Sequence, residues 1–224
     1  ENKLCRKSIN QAIGRIRGIF RWGVSHEMLP ATVLNALEAV EPLKAGRTTA
    51  REPVKRRPVA EDSINKVKAI VPERTADLIE LQLLSGARSG ELLMLTGEMI
   101  DRTTDIWVAR LPDHKCAHHG QDRVLVFGPK AQLILRKYIV LDQSRKLFPI
   151  RRDTYGKAIK DACLKLNLPI WTPHWLRHNA ASRLRSEYGL DVAQVMLGHA
   201  SADVTQLYAA LNIDKAVEVA RQAG

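Results

Sequence analysis

Cysteine is scarce in this 224-residue chain: there are only Cys5, Cys116 and Cys163. They are widely spaced and odd in number, which excludes a disulfide framework and points to a reducing compartment. No apolar run approaches the ~20 residues that a membrane-spanning helix needs. No secretory signal segment is visible either, so the cytoplasm is the expected location. The first residue is Glu1 rather than Met, and the expectation is a fragment that lacks its natural N-terminus. No internal repeat is evident.

What is present is a basic, globular composition. Hydrophobic residues make up 45% of the chain, and the formal net charge is +11. Such an excess of positive charge suits a polyanionic partner. It is uneven, at +7 over residues 1–58 and +4 over residues 59–224.

Residues 3–24 carry apolar positions at helical spacing (Ile9, Ile13, Ile16, Phe20, Val24) with Arg15, Arg17 and Arg21 interleaved. The Met28-Leu29-Pro30 step ends that helix, and Thr32 is the expected cap of a shorter one reaching Val40. Two helices alone are too little for an independent core. Residues 44–58 then read as a linker with six basic residues, one acidic residue and two prolines. Arg47, Arg51, Lys55, Arg56 and Arg57 are its candidate contacts to a phosphate backbone, since each phosphate neutralised releases counterions; a merely solubilising run is the alternative.

The main domain is expected over residues 59–224. Helices are expected at residues 59–71 and 75–84, the second interrupted by Gly86, with Arg88 at the start of a further one at 90–95. A helix N-terminus favours anions, so Arg88 is well placed for phosphate, and Glu91, three residues on, is positioned to steady it. Residues 105–109 and 123–127 alternate as strands do, which makes residues 111–122 a connection between two antiparallel strands. It contains Lys115, the only lysine between Lys68 and Lys130. His114, Cys116, His118 and His119 crowd into the same stretch, but structural zinc sites use two separated ligand pairs and no second pair exists, so no metal is expected. Further helices are expected at residues 130–138 and 151–166.

Residues 171–211 carry the densest chemistry. Thr172 suits an N-cap and Pro173 the first helical position, so a helix starts there and runs to about Tyr188. His174 and Arg177 are three residues apart and share one face of it. Gly189 stops this helix; Asp191 opens a short second one that ends at Leu197-Gly198-His199. Ser201 can cap a third that carries Tyr208, nine residues beyond His199. A last helix is expected over residues 212–223.

This order of motifs resembles the tyrosine recombinases of the phage-integrase family. The likeness rests on Ser85-Gly86-Ala87-Arg88-Ser89-Gly90-Glu91-Leu92 as a GxRxxEL box, Lys115 in the hairpin, His174-x-x-Arg177, Leu197-Gly198-His199 and Tyr208, and covers roughly residues 59–211. It implies a mainly α fold with a small antiparallel β-sheet (α+β), a tyrosine-recombinase catalytic domain preceded by part of a helical core-binding domain. Residues 1–43 match the C-terminal part of that DNA-binding module, 44–58 the basic interdomain linker, and 59–224 the catalytic domain with its C-terminal helix. The implied activity is site-specific DNA recombination or integration for a phage or other mobile element. It implies double-stranded DNA attachment sites as substrate, a homo-oligomer on DNA that is a tetramer in the synaptic complex, and a cytoplasmic, nucleoid-associated location. Family C-terminal tails often pack on a neighbouring protomer; packing on the same chain is the equal alternative.

The residue types suit that chemistry. Attack of Tyr208 on a phosphodiester builds negative charge on the non-bridging oxygens, and preorganised donors aimed at such charge are usually the largest catalytic term. Arg88 and Arg177 stay ionised and offer planar two-pronged donors. With two guanidiniums at the phosphate and no paired carboxylates in the motifs, neither metal nor other cofactor is expected. A free tyrosine has a pKa of about 10, so a proton acceptor is needed, and His174 is the candidate. Lys115 is the candidate general acid for the departing 5′-hydroxyl, and His199 a hydrogen-bond donor to the phosphate. The implied product is a 3′-phosphotyrosine link that a second 5′-hydroxyl reverses without ATP. The rival readings are a type IB topoisomerase that only relaxes DNA, and a DNA-binding regulator of the same fold without activity. Strand exchange between two duplexes separates them.

Overall fold

The computed structural model describes residues 4–53, 58–111, 123–197 and 217–222. The chain divides into two compact units, Glu1–Arg56 and Arg57–Gly224.

In the first unit α1 (Arg6–Ser25) is followed by α2 (Ala31–Glu38). The apolar stripe of α1 sets its length, and Pro30, not Thr32, precedes the first turn of α2. Thr32 falls inside the helix because proline fixes an extended turn entry directly before it. Burial is slight: Gly23 is the one buried residue of α1, and α2 has none. Polar ties do the joining. The Arg17 guanidinium donates to the Leu37 and Val40 carbonyls at the end of α2, and Arg21 pairs with Glu38 at 2.7 Å. The following stretch is strapped back onto α1. Asn10 exchanges two hydrogen bonds with the backbone of Leu43, and Arg6 holds Glu52 by two prongs at 2.7 and 3.1 Å.

The second unit is built on α3 (Glu61–Ile70), α4 (Glu73–Ser85), α5 (Ser89–Met94), α6 (Pro129–Arg136), α7 (Arg152–Lys165) and α8 (Pro173–Leu197). A three-stranded antiparallel sheet, β1 (Ile100–Asp101), β2 (Trp107–Leu111) and β3 (Arg123–Phe127), lies in the order β1-β2-β3. The fold is therefore mainly α with a small antiparallel sheet. Helix α4 has Leu78, Ile79 and Leu81 wholly enclosed where it meets α3, α6 and α8. No helix among the described residues is long and apolar enough to cross a membrane.

The sheet differs from its sequence expectation in two ways. β2 starts at Trp107 rather than at residue 105, and β1 is an addition. Ile106 is still buried, but in a second core on the other face of the sheet with Val126, Leu184, Ala193, Met196, Val219 and Ala220. Side chains alternate between faces along a strand. Trp107, Ala109 and Leu111 of β2 thus join Leu125 and Phe127 of β3 in the main core. Arg123 pairs in register with Leu111 and shares the inward face of Leu125 and Phe127.

Two glycines shape the ends of the helices near this core. Gly86 caps α4 in the left-handed region at φ 64°, which side chains with a Cβ disfavour. Gly189 breaks α8 at φ 86° and ψ 175°, so the run is two helices meeting at a kink, as the sequence implies. The helical residues 217–222 return to the second core: Val219 and Ala220 are buried there, and Arg221 binds Asp105 at 2.7 Å.

Candidate active site

Four side chains from three elements meet where α4 ends. Arg88 occupies the N-cap of α5, with its backbone extended at φ −71° and ψ 144°. Its amide donates to Glu91 Oε2 at 2.8 Å and its Nη1 to Glu91 Oε1 at 2.7 Å. The Arg88 side chain as a whole remains 39% exposed.

Glu91 has a second cationic partner that sequence reasoning did not single out. Arg123, at the first position of β3, donates from Nε to Oε1 at 3.1 Å and from Nη2 to Oε2 at 3.2 Å. Both side chains are nearly sealed from water, at 5% and 7% exposure. The signal was present in the pattern Arg-Val-Leu-Val-Phe: its arginine has the same parity as the inward Leu125 and Phe127. A charge at an inward register position must be paired.

Arg177 lies on α8, buried apart from 5% of its surface. Its Nη1 donates to the Gly86 carbonyl at 2.8 Å and its Nη2 to the Leu197 carbonyl at 2.6 Å. One guanidinium thus joins the C-terminus of α4 to the last residue of α8, two residues before His199. Among the described residues its other N–H donors make no hydrogen bond beyond these two.

The electrostatics follow from this crowding. Burial pushes the Arg177 guanidinium down to about 10, and the nearby charges of Arg88 and Arg123 push the same way. At neutral pH it stays protonated. Burial alone raises the Glu91 carboxyl, but the charge and hydrogen bonds of Arg123, with those of Arg88, outweigh it and hold the group below its ordinary value. Three guanidiniums around one carboxylate leave an unbalanced positive charge, which suits an anionic ligand.

His174 is exposed on the first turn of α8, its ring edge-on to that of His178 with centroids 5.0 Å apart. The sequence-derived site residues Lys115, His199 and Tyr208 lie outside the described residues, as do Lys55, Arg56 and Arg57 and the His114, Cys116, His118 and His119 group. Arg47 and Arg51 are exposed in the first unit, and the Arg51 carbonyl accepts from the Arg6 amide at 2.8 Å. The geometry therefore brings together Arg88, Glu91 and Arg177, adds Arg123, and sets His174 on the helix that carries Arg177.

Comparison with known proteins agrees in kind. The model of the phage integrase family matches residues 59–215. Tyrosine recombinase XerA of Saccharolobus solfataricus is 33% identical over 147 residues, which cover 63% of this chain and 48% of that protein. The chain spans about half the length of the curated relatives it matches. Lambda integrase residues 75–356, solved as a dimer bound to a COC′ core site, superposes with a TM-score of 0.65 at 18% identity, covering 90% of this chain and 74% of that one. The integrase of transposon Tn1549, solved with circular intermediate DNA, gives 0.61 at 15% identity over 92% of this chain and 75% of that one. At these identities the structural likeness establishes the fold.

Proposed function

Because this chain belongs to the phage integrase family, we propose that it is a site-specific DNA recombinase that cuts and rejoins strands through a 3′-phosphotyrosine on Tyr208. The observation that carries the reading is the cationic cluster at the end of α4. There Arg88, its side chain 39% exposed, is held by Glu91 beside a buried Arg177.

In this mechanism the scissile phosphate sits against Arg88 and Arg177. Their donors are fixed before the reaction, so charge that builds on the non-bridging oxygens needs no reorganisation to be met. The Tyr208 hydroxyl attacks phosphorus; its proton passes to His174, and His199 donates to a phosphate oxygen. The bond to the 5′-oxygen breaks, and Lys115 supplies the proton to that oxygen. Phosphorus keeps its ester energy in the link to Tyr208, so the reverse attack by a 5′-hydroxyl of a second duplex completes exchange. The guanidiniums supply the charge stabilisation, and the scheme uses no metal and no ATP.

The substrate is duplex DNA carrying attachment sites. Residues 1–43 act as part of a helical DNA clamp. Residues 44–58 follow the backbone through Arg47, Arg51, Lys55, Arg56 and Arg57, and residues 59–224 hold the chemistry. The working assembly is a homo-oligomer on DNA, a tetramer at synapsis, and the protein acts at the nucleoid in the cytoplasm.

The test is strand exchange. Two linear duplexes bearing candidate attachment sites are incubated with the protein and the junctions sequenced. Recombinant junctions at one fixed position are expected. Relaxation of supercoiled plasmid without junctions would assign the chain to a relaxing enzyme instead.

A further inference from the structure

We propose that Arg123 is a positioning residue of the strand-transfer site, fixing through Glu91 the guanidinium of Arg88 against which the phosphate is held. The role rests on the reading of the site just given. Four donors converge on one carboxylate. Oxygen Oε1 receives Arg88 Nη1 at 2.7 Å and Arg123 Nε at 3.1 Å; Oε2 receives the Arg88 amide at 2.8 Å and Arg123 Nη2 at 3.2 Å. A carboxylate with every lone-pair direction engaged can neither rotate nor readily take a proton. Arg88 alone binds only part of it, and Arg88 is the exposed partner.

The pair is buried, which decides how it behaves. Two opposite charges sealed from water gain little over an apolar pair of the same shape, but removing one partner leaves the other stranded. Arg123 is therefore poorly explained as a stabilising ornament and well explained as the fixed half of a clamp. Its place in the chain adds a second link. Leu111 and Arg123, which flank the sequence segment that carries Lys115, are paired in the ladder. One side chain thus ties the strand that follows that segment to the carboxylate that orients Arg88. The groups facing Glu91 are Arg88 of α5, Arg123 of β3 and Arg177 of α8, all cationic.

The experiment has two arms, using the full chain as wild type, Arg123→Lys, Arg123→Met, and Arg123→Met combined with Glu91→Gln. In the first arm the protein is alone, and NMR reads the titration of the Glu91 carboxyl and the order of the Arg88 Nε–H group. Arg123→Met is expected to raise the Glu91 midpoint and loosen Arg88. Arg123→Lys, which keeps the charge and loses the fork, is expected to do so in part. In the second arm, single-turnover formation of a covalent adduct is followed on plasmid DNA carrying a candidate attachment site. Arg123→Met is expected to slow it about 100-fold near neutral pH, the scale of a misplaced catalytic group. The loss should deepen as pH is lowered and Glu91 takes a proton, and this pH limb should vanish when Glu91→Gln is added. Loss of packing alone would not create a carboxylate-dependent limb. If Arg123→Met does not fold, Arg123→Lys carries both comparisons. An Arg88 signal unchanged in either folded variant overturns the proposal, whatever the cleavage result. Absence of adduct from the wild type as well would strike the DNA reading alone, because the first arm still reports on the clamp.

Discussion

The Gly86 carbonyl accepts a 2.8 Å hydrogen bond from Nη1 of Arg177, a residue 91 positions away in the chain. The contact exists because Gly86 turns the end of α4 in a left-handed conformation, with no side chain in the way. A Cβ built there would lie 2.6 Å from Leu197 Cδ2, and Leu197 contributes the other carbonyl that Arg177 holds. Gly86→Ala should therefore lose about 2–4 kcal/mol, combining left-handed strain with overpacking. Chemical denaturation checks it. Gly90→Ala, with nothing within 4 Å of the new Cβ, should change stability by less than about 1 kcal/mol.

Glu91 gives a pH signature. Its carboxyl is held below the ordinary value of 4.5, so the stability it adds is present above that pH and disappears as pH falls through the lower, folded value. The gap in unfolding free energy between wild type and Glu91→Gln should be full at neutral pH and close on acidification below 4.5. Urea unfolding at a series of pH values measures it. A gap that widens toward acid contradicts the assigned direction.

The C-terminal segment supplies a third expectation. Ala220 is 3% exposed in the second core, so Ala220→Asp places a charge where nothing pairs it. Amides of residues 217–222 should lose hydrogen-exchange protection, while those of α4 keep theirs. Arg221→Ala should do much less. Its bond to Asp105 joins side chains 54% and 62% exposed, and such pairs contribute at most about 1 kcal/mol and weaken with salt.

How much of this could be read in advance depended on whether the governing interaction was local. Helix positions followed from apolar spacing and from Pro173, Gly86 and Gly189, which act through the backbone of their own neighbours. Arg88 and Glu91 were legible because three residues separate them on one turn. β1 was not, since the two residues Ile100 and Asp101 are too short to show a period. β2 slipped by two residues because Ile106 and Val108 fit an alternating strand in either register, and a second core buries Ile106 outside it. The straps from Asn10 and Arg6 to residues 43–52 span more than thirty positions, and composition alone reads that stretch as a linker. Arg123 was read only as the start of a strand. Its partner lies 32 positions earlier and comes near only when β3 pairs with β2.

Binding to DNA offers a fourth check. Arg47 is exposed and carries one of the charges assigned to the backbone path. Arg47→Gln should weaken binding uniformly across sequences and lower the slope of log affinity against log salt by about one. A change confined to one DNA sequence would assign Arg47 to base reading instead.

The decisive measurement is to trap the protein on a nicked attachment-site duplex, digest the adduct and locate the nucleotide-bearing peptide by mass spectrometry. The expected result is a nucleotide on Tyr208, with Tyr208→Phe still binding DNA but giving no adduct. A nucleotide on Tyr138, Tyr155 or Tyr188, or an undiminished adduct from Tyr208→Phe, would contradict it.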